Sequence, residues 1–218
     1  MTFAGARDGV SHLLRKVADG SEEEEQLVTL PEHAHANSWS PDGQVLVFDM
    51  GQQTASEGIW LLPLEEDRKP TLFLKTPGNV YASRLSPDGH WIAYASDESG
   101  RLEIYVQPFP GLGGKWQIST DGGGHAVWAR NGRELFYRNG YKMMVVEVTT
   151  QPNFSPGSPK ALFEGQFFSA GDGNTMYDVA PDGQRFVMIK ESEEQQEVTP
   201  IHIVLNWFEE LKRLVPTP

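Results

Sequence analysis

The chain has 218 residues and 39% hydrophobic content, enough for a substantial core and unlike a disordered chain. Its formal net charge of -12 creates a field that repels a phosphate backbone, which excludes nucleic acid as a partner. Cysteine is absent, ruling out disulfides, thiolate chemistry and cysteine-ligated metals, while 22 glycines, 15 prolines and 11% aromatics favour many short strands joined by tight turns.

The opening stretch "MTFAGARDGVSHLLRK" lacks the apolar core and cleavage site of a secretory signal, and no run of roughly 18 apolar residues occurs. No membrane insertion is expected, and the compartment stays open. Residues 1 to about 30 align with the later stretch "IAYASDESGRLEIYVQPFPGLGGKWQIST", so that Leu13 meets Ile104 and Gln26-Leu27 meets Gln117-Ile118. They read as the last three strands of a four-stranded unit whose innermost strand is missing.

Next comes "SWSPDGQVLVF" (38–48), repeated as "RLSPDGHWIAY" (84–94), as Ala180-Pro181-Asp182-Gly183 and, weakened, as Ala129-Arg130-Asn131-Gly132. The turn glycines stand at 43, 89, 132 and 183, at intervals of 46, 43 and 51 residues, which suits four short antiparallel strands per repeat: one blade of a β-propeller. Proline presets φ at the second turn position, Asp or Asn accepts local backbone hydrogen bonds, and Gly takes the positive φ. The first full repeat gives "ANSWS", "VLVFDM", "GIWLLPL" and "TLFLK"; the second gives "YASRLS", "WIAYAS", "LEIYVQPF" and "KWQIST". The third gives "HAVWAR", "ELFYR", "KMMVVEVT" and "PKALFEG", and the last only "MYDVA", "RFVMIKE" and "IHIVLNW". After Trp207 the spacing of Phe208, Leu211, Leu214 and Val215 predicts a short helix. The expected fold is an all-β propeller of four-stranded antiparallel blades with five blade positions, the first and last incomplete. One domain covers the chain: a partial blade over 1–30, blades over about 31–76, 77–121 and 122–165, a last blade over about 166–207, and a C-terminal helix over 208–215.

Catalytic motifs are missing. "GQFFSAG" has Phe167 where a G-x-S-x-G elbow needs glycine, no kinase signature occurs, and "GLGGKW" (111–116) and "DGGGH" (121–125) lack P-loop spacing and read as blade-to-blade loops. No enzymatic activity and no cofactor are expected. Glu32, His33 and His35 in "PEHAH" lie in the predicted loop before an inner strand, but H-x-H without a third ligand is no metal site, so none is assigned. Glu22 to Glu25, and Glu191, Glu193, Glu194 and Glu197, read as solvated turns. Asp42, Asp88 and Asp182 recur with the turn and are turn residues. Trp39, Trp60, Trp91, Trp116, Trp128 and Trp207 recur at strand positions, which predicts packing between blades. Near equivalent offsets before the turn stand His35, Asn37, Tyr81, Ser83, His125, Tyr177 and Asp178, chemically diverse as a ligand-facing channel rim would be.

The phrase "SPDGxxIAYxSxxxGxxxIYV", present from Ser86 to Val106, resembles the TolB-type β-propeller repeat, and "LNWFEELKRLVP" (205–216) resembles the ending of kinase-linked propellers of that type. Such repeats occur in the Tol-Pal periplasmic protein, in prolyl-oligopeptidase-like peptidases and in sensor regions of bacterial serine/threonine kinases. The resemblance implies a bacterial, sensor-like binding or scaffold module that takes a protein, peptide or small ligand at the channel rim. The alternative is an accessory sensor or substrate-gating propeller of a larger kinase or peptidase, here without its catalytic domain. Propellers of this type usually have six blades, so incomplete blades here either satisfy each other or pair with another chain, giving a homo-oligomer.

Overall fold

A computed structural model describes residues 1–52, 55–65, 67–111, 113–169 and 174–190. β1 (Thr2–Arg7), β2 (Val10–Arg15) and β3 (Glu25–Leu30) form a three-stranded antiparallel sheet. β4 (His33–Trp39), β5 (Val45–Gln52), β6 (Ala55–Pro63) and β7 (Thr71–Leu74) form the next, in sequential order. β8 (Val80–Leu85), β9 (Trp91–Ser96), β10 (Glu103–Pro108) and β11 (Trp116–Gln117) repeat that pattern. In the fourth sheet, β12 (Gly124–Trp128), β13 (Glu134–Asn139) and β14 (Lys142–Thr149) are followed by β15 (Ser155–Pro156) and β16 (Lys160–Glu164), which both pair with β14. The described residues end in a hairpin of β17 (Tyr177–Val179) and β18 (Phe186–Met188).

The repeated turn folds alike each time. Gly43, Gly89, Gly132 and Gly183 have φ of 71°, 72°, 69° and 70°, a left-handed conformation that a Cβ would strain, and each donates its amide to the carbonyl three residues earlier. In the two Ser-Pro-Asp-Gly turns the serine hydroxyl donates to the aspartate at 2.5 Å, and the aspartate also accepts an amide two residues on. Asn131 and Asp182 accept the equivalent amide in the variant turns. Replacing Asp88 with Ala removes the one carboxylate oxygen that accepts both of these hydrogen bonds, and a loss of about 1 kcal/mol in urea-measured stability is expected; an unchanged midpoint would show the turn indifferent to its side chain.

Strand alternation builds the core between sheets. Leu46 and Phe48 of β5 pack with Leu13, Leu27 and Leu30 of the preceding sheet, whereas Val47 between them packs with Val80, Ile92 and Tyr94 of the following one. On β9, Ile92 and Tyr94 face backward while Ala93 and Ala95 face Trp128, Leu135 and Tyr137 of the fourth sheet. Phe136, flanked by those two, turns forward to Tyr177 and Phe186. A strand buried on both faces must be apolar at consecutive positions, which is why "VLVF" and "IAYA" read as continuous hydrophobic runs.

Three sequence expectations change. His33 and His35 lie within β4 and not in a loop before it, because the inner strand starts three residues earlier than the apolar pattern indicated. "GLGGKW" runs from the β10–β11 connection into β11, so it lies within one sheet, while "DGGGH" does lead from one sheet to the next. The expected strand "KWQIST" is cut to Trp116–Gln117 since Ser119 Oγ, not a backbone carbonyl, accepts the Ile104 amide at 2.8 Å. The Glu191 to Glu197 run, the strand "IHIVLNW", Trp207 and the helix over 208–215 lie outside the described residues.

Candidate functional site

The seven rim residues fall into two groups. In the first, the Asp49 carboxylate, only 2% exposed, lies 2.9 Å from His35 Nδ1 and accepts Asn37 Nδ2 at 2.9 Å. Asn37 Nδ2 also reaches Ser83 Oγ at 3.0 Å, which ties the second sheet to the third. The Tyr81 phenol, half-buried nearby, is pushed above its ordinary pKa by burial and then by the negative charges of Asp97 and Asp49. In the second group Tyr177 donates its hydroxyl to the His125 carbonyl at 2.7 Å, and His125 Nε2 stands 3.4 Å from Ser169 Oγ. Burial pushes the Tyr177 phenol well above its usual range. Asp178 is exposed, its Oδ1 accepting the Val179 amide.

Backbone irregularity places these side chains. The β4–β5 register shifts between Ala36 and Ser38, the β8–β9 register between Tyr81 and Arg84, and the β12–β13 register between Gly124 and Val127. Ala82 and His125 sit inside the latter two bulges with φ of 50° and 57°. A bulge on an inner strand turns a side chain out of the alternating pattern.

The first group has the elements of a Ser, His and Asp set but not its arrangement. Ser83 is fully buried and bonded to Asn37, so its hydroxyl is out of reach of a substrate carbonyl. His35 is engaged by Asp49 and stacks edge-on against His33 at 4.7 Å, so it is not a solvated loop residue. Among the described residues no three His, Asp or Glu side chains converge to hold a metal ion.

Arg84 joins the two groups; it holds the same repeat position as Asp178 but was not singled out in the sequence. Its Nη1 donates to the Asn37 carbonyl, and its own carbonyl accepts Trp128 Nε1 at 3.0 Å. A cavity of about 510 Å3 opens beside it, walled by Trp39, Arg84, Trp128, Thr175, Tyr177 and Asp178. These residues come from the inner strands of four successive sheets, or from the segment entering the last, so the cavity lies at the turn-bearing end of those strands. Of the seven rim residues it includes Tyr177 and Asp178; His35, Asn37, Tyr81, Ser83 and His125 lie outside its wall. A larger depression of about 840 Å3, which includes Glu134, Glu147 and Thr149, belongs to the fourth sheet alone and gathers no groups from its neighbours.

Comparison with solved structures places this architecture. The chain superposes on TolB from Acinetobacter baumannii with a TM-score of 0.69 at 18% identity, covering 88% of this chain and 46% of that one. It is also similar to the periplasmic gluconolactonase of Pseudomonas aeruginosa, with a TM-score of 0.52 at 16% identity over 86% of this chain and 58% of that one. An oligogalacturonate lyase in complex with manganese matches with a TM-score of 0.54 at 14% identity over 82% of this chain and 50% of that one. The chain thus spans about half the length of the TolB structure. No protein-family model matches the sequence. At these identities the similarity speaks to architecture, and the architecture is that of a TolB-type β-propeller.

Proposed function

We propose that the chain is a non-enzymatic binding module that takes a protein segment, peptide or small ligand at its channel mouth. The observation that carries this reading is the cavity of about 510 Å3 formed where inner strands of four successive sheets converge. Its size is in the range of about 300–1,000 Å3 typical of ligand sites, and its walls combine indole rings with a few convergent polar groups. The arrangement around Asp49 favours binding over hydrolysis, because its serine is sealed by Asn37 and the surrounding core.

A library of random twelve-residue peptides displayed on phage tests the reading. Enriched peptides are expected to bind the full chain and to lose at least tenfold in affinity when Thr175→Trp fills the cavity, with an unchanged circular dichroism spectrum. No enrichment, or binding indifferent to Thr175→Trp, would overturn it.

A further inference from the structure

The cavity wall carries one cation, Arg84, whose surroundings compensate it poorly. Its Nε is buried without a hydrogen-bond partner, and the described contact of the guanidinium is with a neutral acceptor, the Asn37 carbonyl. None of the ion pairs among the described residues includes it. Asp178 shares the cavity but makes no contact with the guanidinium at salt-bridge distance. Burial draws the Arg84 pKa below the ordinary arginine value, and the charge of Asp178 acts in the opposite direction. A desolvated guanidinium lacking an anionic partner is costly, and its planar fork matches a carboxylate. The buried Thr175 hydroxyl, also without a partner, lies in the same wall.

We infer that this cavity binds a carboxylate, presented by a peptide's C-terminus or by an acidic side chain, with Arg84 as its anchor; the inference rests on the binding reading above. The negative charge of Asp178 and of the whole chain favours a monoanion over a phosphate dianion. Trp39, Trp128 and the rings of Pro41 and Pro87 supply apolar surface for the residue carrying the carboxylate.

The test is calorimetry on the full chain at pH 7 and low salt with four probes. These are acetyl-Gly-Gly-Phe as the free acid, the same peptide as its amide, acetyl-Gly-Glu-Gly-amide, and inorganic phosphate. At least one carboxylate peptide is expected to bind tenfold or more tighter than the neutral amide. A preference for the free acid identifies a chain terminus, and a preference for the glutamyl peptide identifies a side chain. Arg84→Gln should erase the preference, and Asp178→Asn, an exposed change, should enlarge it threefold or more. If Arg84→Gln lowers the melting temperature, Arg84→Lys serves in its place, keeping the charge and losing at least threefold of the preference with the fork. Equal binding of acid and amide, a preference untouched by the substitutions at both positions, tighter binding of phosphate, or no binding of any probe would each overturn the carboxylate assignment. The binding reading stands or falls separately, on the peptide library and Thr175→Trp.

Discussion

Between pH 10 and pH 12 the protein is expected to lose stability at a rate that peaks near pH 11 at about 4 kcal/mol per pH unit, and to unfold in one cooperative step. Tyr94, Tyr137 and Tyr177 have solvent exposures of 0%, 2% and 8%. Burial is the main cause that raises all three phenols, with Glu98 adding to it at Tyr94 and Glu103 at Tyr137, whose pKa is pushed up to about 12. At Tyr177 the nearby Arg84 and Arg138 oppose the shift without cancelling it. An unfolded tyrosine ionises near pH 10, so above that pH the unfolded chain releases three protons that the fold retains, each worth about 1.4 kcal/mol per pH unit. The contribution of these groups is therefore intact below pH 10 and falls as pH rises through the folded values. Tyrosinate absorbance at 295 nm and far-ultraviolet circular dichroism should change together. Tyr94→Phe should reduce the slope by about a third. Ionisation of these tyrosines near pH 10 with secondary structure unchanged would contradict their burial.

Trp91→Ala is expected to cost about 3 kcal/mol, the low end of the range for removing a large aromatic from a core, because the ring is partly buried against its cluster. Its ring lies 5.0 Å from Phe154 and 5.6 Å from Trp116, centroid to centroid, and Phe154 in turn contacts Trp128. Phe154 belongs to the fourth sheet's connection and Trp91 to β9, so the Phe154 contact joins two blades, while the Trp116 contact lies within the third sheet. The indole Nε1 of Trp91 is buried without a partner, so part of what the tryptophan contributes is offset by an unsatisfied donor. Trp91→Phe, which keeps the ring contacts and removes that donor, should stay within about 1 kcal/mol of the parent. Urea titrations of both variants decide the matter: an unchanged midpoint for Trp91→Ala would mean that Trp91 does not hold the blades together.

Much of the propeller was legible because its signals are local. A turn of Ser, Pro, Asp and Gly at 40–43 and 86–89 needs only its own residues to form its hydrogen bonds, and the continuous runs at 45–48 and 92–95 mark strands covered on both faces. Strand ends were less legible. β4 begins at His33, among polar residues, because the central position of an inner strand lets His35 and Asn37 find a partner in Asp49.

The site was legible only in part. The repeat offset selected His35, Asn37 and Ser83, yet Asp49, which His35 and Asn37 share, sits on the next strand as one acid in "VLVFDM". An acid in an otherwise apolar run was the one available signal. Arg84 was passed over although it occupies the repeat position of the selected Asp178, shared with Ser38 and Val127, and only the packing of neighbouring blades gives it the Asn37 carbonyl and a place in the cavity wall.

By itself, then, the sequence determined the repeat, the turn conformations and the alternation that turns successive side chains toward opposite neighbours, since each depends on residues close along the chain. The tertiary structure alone decided which side chains meet in the channel. Those meetings span separations of 46 residues for Asn37 and Ser83 and 52 for His125 and Tyr177, and blade-to-blade rotation and inner-strand bulges set them where no local pattern could.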